Sequence, residues 1–310
     1  MPSHRTWRRR TLWAATSFGL AFALALWCLG AILIHPARRH VGPPPADLDA
    51  QSLDFADANT AHLRGWYVAG QPGHGAVLLL HGVRADRRAM LARARFLHDD
   101  GYGVMLIDFQ ASGESGGEAI TFGYRETADV LAALEQLHHL APGERIGIIA
   151  ASMGGAATLL AKPPVHVDAL VLEQVYPSID QALRDRLRLH LGHAGGWLTG
   201  PLLLTLPWHI GIDRSQLRPI DAIAAVTIPK LLIAGDADQH TRIGESQAMF
   251  NHAAGPKAFW VVQGAAHVDL YRYAGEAYRS RVETFLGYWL ASRGEEVNLP
   301  GPSCDGCRAE

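Results

Sequence analysis

The stretch "RIGIIAASMGGAATLLA", Arg145 to Ala161, decides how the chain is read. An apolar run of strand length ends at Ser152, and small residues then open a segment with helical spacing. Ser152 is either a nucleophile on a sharp strand-to-helix turn or a serine capping a helix in a tight packing joint. The turn asks for Gly-x-Ser-x-Gly. Here the five residues are Ala150, Ala151, Ser152, Met153 and Gly154, with alanine at the first glycine position. A nucleophile on such a turn sits in strained backbone, and its neighbours two before and two after come close together, so both must be small. Gly154 meets that demand, and Ala150 exceeds it by one methyl group. Gly155 and Ala156 carry the small surface into the helix start, where the dipole favours a developing oxyanion.

Outward from this stretch, the chain alternates between strand-like and helix-like segments. "AVLLLH" (76–81), "YGVMLID" (102–108), "DALVLEQ" (168–174), "PKLLIAGD" (229–236) and "AFWVVQG" (258–264) are short apolar runs bounded by turns. Helical spacing fills 88–99, 122–140, 153–162, 241–253 and 269–292, and residues 52–57 and 61–69 read as an opening hairpin. This order implies an α/β fold, a mostly parallel central sheet with helices on both faces. More than fifty residues separate the strands at 168–174 and 229–236. That is too long for a simple crossover and points to a helical lid insertion at about 176–225. The apolar run at 201–208 inside it carries two prolines, which argues against a second membrane span.

Charge is uneven along the chain. Formal net charge is −2, but residues 1–40 hold six arginines and no acid, leaving 22 basic against 30 acidic residues in the remainder. That balance gives no basic patch for nucleic acid. Arg8-Arg9-Arg10 precede Thr11–Ile34, 24 residues without a charge. A membrane-spanning helix needs about 20 residues, whereas the core of a cleavable signal has about 7–15, and no clear Ala-x-Ala site follows. Residues 1–35 therefore read as an uncleaved anchor with 11–34 in the membrane. The arginine bias puts the N-terminus in the cytoplasm and the domain on the outer, extracytoplasmic side. Residues 36–50, with Pro43-type repeats of proline in "GPPPADL", read as a linker, 51–292 as the domain and 293–310 as a tail. Cys28 lies in the apolar run without a lipoprotein box, and Cys304 and Cys307 form one Cys-x-x-Cys pair, half a zinc site at best or a tail disulfide, with a dispensable tail the preferred reading.

In open parallel sheets, ligands bind beyond the carboxyl ends of the strands. The residues standing there are His81-Gly82-Val83, Asp108, Ser152, Asp236 and Asp238, and His267. A serine, an acid and a histidine thus reach one sheet edge in chain order. Ser152 is the candidate nucleophile and His267 the candidate general base, set in a loop directly after the last strand. Two aspartates compete to orient His267. Asp238 is preferred because its loop has risen from the strand end, while Asp236 is better placed to bond loop backbone. Asp108 is expected to organise its glycine-rich loop, and His240 is a rival histidine near Asp238. An oxyanion hole needs two backbone N–H groups, for which Met153 and Val83 are the candidates.

These residues carry a resemblance. Residues 52–292 resemble an α/β-hydrolase in "HG" at 81–82, "DFQASGES" at 108–115, "AASMGG" at 150–155, "GDAD" at 235–238 and "AAH" at 265–267. The stretch from Leu80 to Phe109, followed by "FGYRE", is similar to the membrane-anchored bacterial branch near serine aminopeptidases and monoglyceride lipases. The resemblance implies a Ser-Asp-His triad acting on esters, thioesters or amides without a metal or cofactor. The chain departs from the family at Ala150 and at Gln110-Ala111, where many relatives have Arg-Gly.

The expected activity is a membrane-anchored serine hydrolase acting on a small acyl substrate, lipid-like if the leucines at 201–206 form an acyl pocket rather than ordinary lid packing. A peptidase or amidase of the serine aminopeptidase type and a non-catalytic binding protein on the same fold are the alternatives.

Overall fold

The computed structural model describes residues 4–291; the tail read at 293–310, with Cys304 and Cys307, lies outside the described residues. A long helix α1 (His4–Ile34) leads into β1 (Ala37–Arg38), β2 (Ala50–Ala56) and β3 (His62–Val68). There follow β4 (Ala76–Leu80), α2 (Leu91–Asp99), β5 (Gly103–Ile107), β6 (Ser112–Gly113), α3 (Glu126–Leu140), β7 (Ile146–Ala151), α4 (Met153–Leu160) and β8 (Ala169–Glu173). The long connection holds α5 (Ile179–Leu191), α6 (Thr199–Leu203), α7 (Leu206–Ile210) and α8 (Pro219–Ile223). The chain returns to the sheet with β9 (Lys230–Gly235), α9 (Ile243–His252) and β10 (Lys257–Val262), then closes with α10 (Leu270–Ala274) and α11 (Glu276–Leu290).

Eight strands form one sheet in the order β10-β9-β8-β7-β4-β5-β3-β2, parallel except where β3 pairs antiparallel with β2 and β5. The central strands are continuous apolar runs because both faces are covered. Leu78, Leu80, Met105, Ile148 and Ala150 pack on one face. Val77, Leu79, Val104, Ile149 and Val171 pack on the other, against residues of α2 and α11. The alternation is the two-residue period of a strand.

Two expected helices are cut shorter. The segment read as a helix over 122–140 begins only at Glu126, because Phe122 and Gly123 have φ of 55° and 96°. The buried Glu126 carboxylate reaches back to accept from Thr121 N (2.8 Å) and Gly123 N (2.9 Å), closing a turn that a helix cannot enter. The helix read at 269–292 is broken at Gly275, where φ is 53°.

The lid has its own apolar cluster, in which Ile179, Leu183, Leu202, Leu203, Leu206 and Ile210 are buried. Leu26, Leu29, Leu33 and Ile34 of α1 pack against that cluster. The segment read as a linker at 36–50 does join α1 to the domain, but its first half is a strap. Proline content suggested a free spacer; tertiary pairing fastens it instead. Ala37 and Arg38 pair with Ser112 and Gly113, and the Val41 and Gly42 N–H groups donate to Glu114 Oε1 at 3.0 and 3.1 Å.

Candidate active site

Strand β7 runs through the middle of the sheet, and its pairing with β8 places Ala151 opposite Glu173. The next residue, Ser152, has φ 48° and ψ −109°. A non-glycine residue in that region stores strain and is held there by its surroundings. Ser152 N donates to Glu173 O at 2.8 Å, and α4 starts at the following residue. A Cβ on Gly154 would fall 2.9 Å from both His81 O and Leu80 O, so glycine is required there. Ala150 is fully buried opposite Leu80. Its methyl points into the core and so takes the place of the expected glycine.

The structure brings Asp238 and His267 together. His267 Nδ1 donates to Asp238 Oδ2 at 2.7 Å, with the Asp238 side chain fully buried. The other carboxylate oxygen accepts from His240 N (2.7 Å) and Thr241 N (2.9 Å). Such a carboxylate is locked in position and fixes the histidine tautomer by its own bond. Asp236 is exposed, and its Oδ1 accepts from Gly264 N at 2.6 Å, a loop-bracing role.

Ser152, Met153, Val83 and His267 line one cavity, partly open to solvent. Val83 follows His81 and Gly82 on the loop after β4. The loop is held by His81, whose Nδ1 donates to Gly82 O (2.7 Å) while its Nε2 accepts from Phe109 N (3.1 Å). Complete burial lowers the His81 pKa, which keeps the ring neutral and the loop bonded as described. Asp108 braces the adjoining loops, accepting from Arg87 N (2.7 Å), the Arg87 guanidinium and Glu114 N (2.9 Å).

Four further groups at the site were not singled out from sequence for the roles they take here. Gln174, at the end of β8 with φ 50°, donates from Nε2 to Asp238 Oδ2 (3.1 Å) and to Ala266 O (2.8 Å). Its place at a strand's carboxyl end was the available signal. Glu173 beside it is buried in an ion pair with Arg93 (2.6 Å), and Tyr278 OH also donates to it. His240 stands with its ring 5.1 Å from that of His267. Arg186, on lid helix α5, reaches the same cavity and donates from Nε to His240 Nδ1 at 3.3 Å. Burial, then Arg186 and then His267, push the His240 pKa down. The His240 ring nitrogen Nδ1 accepts from Arg186, whereas the buried Asp238 carboxylate bonds the ring of His267.

Apart from Thr205 and Thr241, the remaining lining is mostly apolar, with Tyr176, Leu202, Leu203 and Leu206 from the lid side and Gly30 and Leu33 from α1. The lid leucines divide: Leu202, Leu203 and Leu206 serve both lid packing and the cavity, while Leu204 is 71% exposed. Among the described residues no group of three or more His, Cys, Asp and Glu is placed to hold a metal ion.

Residues 71–196 match the family model described as serine aminopeptidase, S33. The uncharacterized protein Rv2307c of Mycobacterium tuberculosis is 30% identical over 261 residues, covering 81% of this chain and 82% of that protein. The uncharacterized protein YqkD of Bacillus subtilis is 24% identical over 229 residues, 72% of this chain and 75% of its own. Among solved structures, the Pyrococcus furiosus esterase Pf2001 superposes with a TM-score of 0.69 at 24% identity, covering 84% of this chain and 99% of its own. An esterase from Exiguobacterium antarcticum superposes at 0.57 and 15% identity, over 76% and 99%. At such identities the structural likeness speaks for the fold.

Proposed function

The chain belongs to the α/β-hydrolase superfamily, and from that premise we propose that it is a membrane-anchored serine hydrolase cleaving carboxylic ester or thioester bonds through an acyl-enzyme. The observation that carries this reading is a strained Ser152 opening onto the cavity that is also lined by His267, whose ring is bonded from behind by the buried Asp238. A serine that merely capped a helix would need neither the strain nor the buried carboxylate behind a histidine.

In the proposed reaction, Ser152 Oγ attacks the acyl carbonyl while His267, through Nε2, takes its proton. Asp238 holds the imidazole by Nδ1 and stabilises the imidazolium that forms. The Met153 and Val83 N–H groups receive the oxyanion. His267 then returns the proton to the leaving alcohol or thiol, and the acyl-enzyme remains on Ser152. Water, deprotonated by His267, releases the acid and restores the serine.

The anchor reading rests on α1, which holds a segment, Arg10–Ile34, long and apolar enough to cross a membrane. Arginines before that segment support a cytoplasmic N-terminus with the domain on the other side. The apolar lining supports an acyl chain as the substrate's larger part.

The match to the serine aminopeptidase family model favours one second reading, cleavage of an N-terminal residue from a peptide. The test begins with a fluorophosphonate probe on detergent-solubilised wild type and the Ser152→Ala variant. Labelling of the wild type alone supports an activated Ser152; a folded wild type that stays unlabelled overturns the reading. A panel of esters, thioesters and aminoacyl amides then separates the two activities.

A further inference from the structure

Helix α1 is 31 residues long, which at about 1.5 Å per residue gives a rod of roughly 46 Å. The hydrocarbon core of a bilayer is about 30 Å thick, roughly 20 residues of such a rod, and the basic start up to Arg10 stands outside it, so only about the last turn does so at the other end. The structure shows where the helix ceases to be exposed all round. Residues 11–25 are exposed all round, whereas Leu26, Leu29, Gly30, Leu33 and Ile34 become covered. Their spacing is one face of a helix, and it is confined to the last two turns.

That face is fitted to the lid and opens onto the cavity. A Cβ on Gly30 would lie 2.6 Å from Thr205 Oγ1 and 2.7 Å from His209 Nε2, so the helix meets these lid side chains so closely that an added methyl would push them aside. The ring of Trp27 lies 4.1 Å from that of His209. Gly30 and Leu33 line the cavity that contains Ser152 and His267.

The end of the helix is also fastened to the catalytic loops. Arg84, the residue after Val83, donates from Nη2 to Ile32 O and, at 3.2 Å, to Leu33 O. Ile34 O accepts from Ile120 N at 2.9 Å. A plain tether needs none of these bonds.

We propose that the last two turns of α1 are a wall of the acyl-binding pocket and set the length of the acyl chain it accepts. The inference rests on the esterase reading given above. With roughly residues 11–30 in the bilayer, this wall lies at its surface where the lid meets the helix, and an acyl chain leaving the membrane runs past Leu33 to reach Ser152. The lid elements around α1 expose Trp197, Leu204 and Trp208 to 86%, 71% and 79%, side chains suited to the membrane interface. The substrate class is a membrane-resident acyl ester.

The test uses the full chain in detergent micelles, with Leu33→Trp to fill the wall and Leu33→Ala to open it. The readout is the ratio of kcat/KM for dodecanoyl over butyryl p-nitrophenyl ester. A change of a single methylene group in an apolar pocket shifts such ratios about tenfold or more. The ratio is expected to fall about tenfold in Leu33→Trp and to move the other way in Leu33→Ala. Equal ratios in wild type and both variants overturn the inference.

A second readout needs no chemistry. A photoreactive palmitate analogue is added to Ser152→Ala protein in nanodiscs, with and without Leu33→Trp. Crosslinks to the lid segment 199–206 that are lost in Leu33→Trp support the wall, and crosslinks that persist overturn it. A wild type that cleaves no ester overturns the proposed activity instead, and the crosslinks still decide the wall.

Discussion

Gln174 and His267 donate to the same oxygen of Asp238, at 3.1 and 2.7 Å. With His240 N and Thr241 N on the other oxygen, the carboxylate receives four hydrogen bonds in a fully buried setting. In the proposed reaction Gln174 would be a positioning residue, acting on His267 through Asp238. Its removal is expected to cost about 1 kcal/mol, roughly fivefold in kcat/KM. Replacing Asp238 by asparagine disturbs the tautomer and is expected to lower kcat about 10³–10⁴-fold. Steady-state kinetics of Gln174→Leu, Asp238→Asn and Asp236→Asn on one short ester check the order. An Asp236→Asn defect as deep as that of Asp238→Asn would reverse the assignment.

The Arg93–Glu173 pair lies next to Ser152, whose N–H donates to Glu173 O, and both side chains are 2% exposed. Arg93 also donates to Asp269 Oδ1 (2.8 Å), so the pair joins β8, α2 and the start of α10. Taking away one partner strands a charge in the core. Arg93→Met is expected to lose about 3–5 kcal/mol, and the double replacement Arg93→Met with Glu173→Leu to regain part of it. Urea denaturation of the three proteins measures this; a single variant as stable as wild type would contradict it.

Gly154 and Ala150 flank Ser152 but are not equivalent. Gly154→Ala places a methyl 2.9 Å from two carbonyl oxygens, and overpacking of this kind costs about 1–3 kcal/mol. It is expected to lower both the melting temperature and the rate of probe labelling. Ala150→Gly only removes a buried methyl, so activity is expected to stay within about threefold while stability drops by about 1 kcal/mol. Thermal melts and labelling time courses distinguish the two.

Glu114 ties the strap to the domain and titrates accordingly. Desolvation pushes its carboxyl up, but the Gly42 N–H, the Arg87 guanidinium and the Val41 N–H outweigh it and hold the pKa down to about 2. His40 Nδ1 also faces it at 3.0 Å. A carboxyl depressed in the folded state contributes stability that is complete above its unfolded value near 4.5 and is lost as pH falls toward about 2. The melting temperature of wild type is expected to drop more steeply across that window than that of Glu114→Gln. Parallel curves would show that the strap does not depend on this charge.

Much of the site was legible because strand ends are legible. The apolar runs ending before His81, Asp108, Ser152 and Asp236 have the length and composition of buried strands, and all four are strands in the structure, as β4, β5, β7 and β9. Gln174 and Glu173 stood at another such end, but nothing local says which neighbour a side chain will meet. Glu173 meets Arg93 from 80 residues away, and Gln174 meets Asp238 from 64. The start of α3 differs for a local reason: "FGYRE" has helical spacing, yet the buried Glu126 carboxylate accepts from Thr121 N and Gly123 N and closes a turn in which Phe122 and Gly123 have positive φ. The strap at 37–42 was hidden because its proline-rich continuation reads as a spacer, while its bonds go to Ser112, Gly113 and Glu114.

By itself the sequence determined the alternating architecture, the small residues that let the chain turn at Ser152, and the chain order of serine, aspartate and histidine. Each depends on the period or size of side chains along one segment, which is local information. Only the tertiary structure decided that Asp238 and not Asp236 meets His267, since that follows from how the loops after β9 and β10 fold over each other. It also decided that the apolar N-terminal helix ends against the lid and the cavity. Hydrophobicity can mark a helix for lipid, but which of its turns meets protein instead depends on the surface that the rest of the chain folds to present.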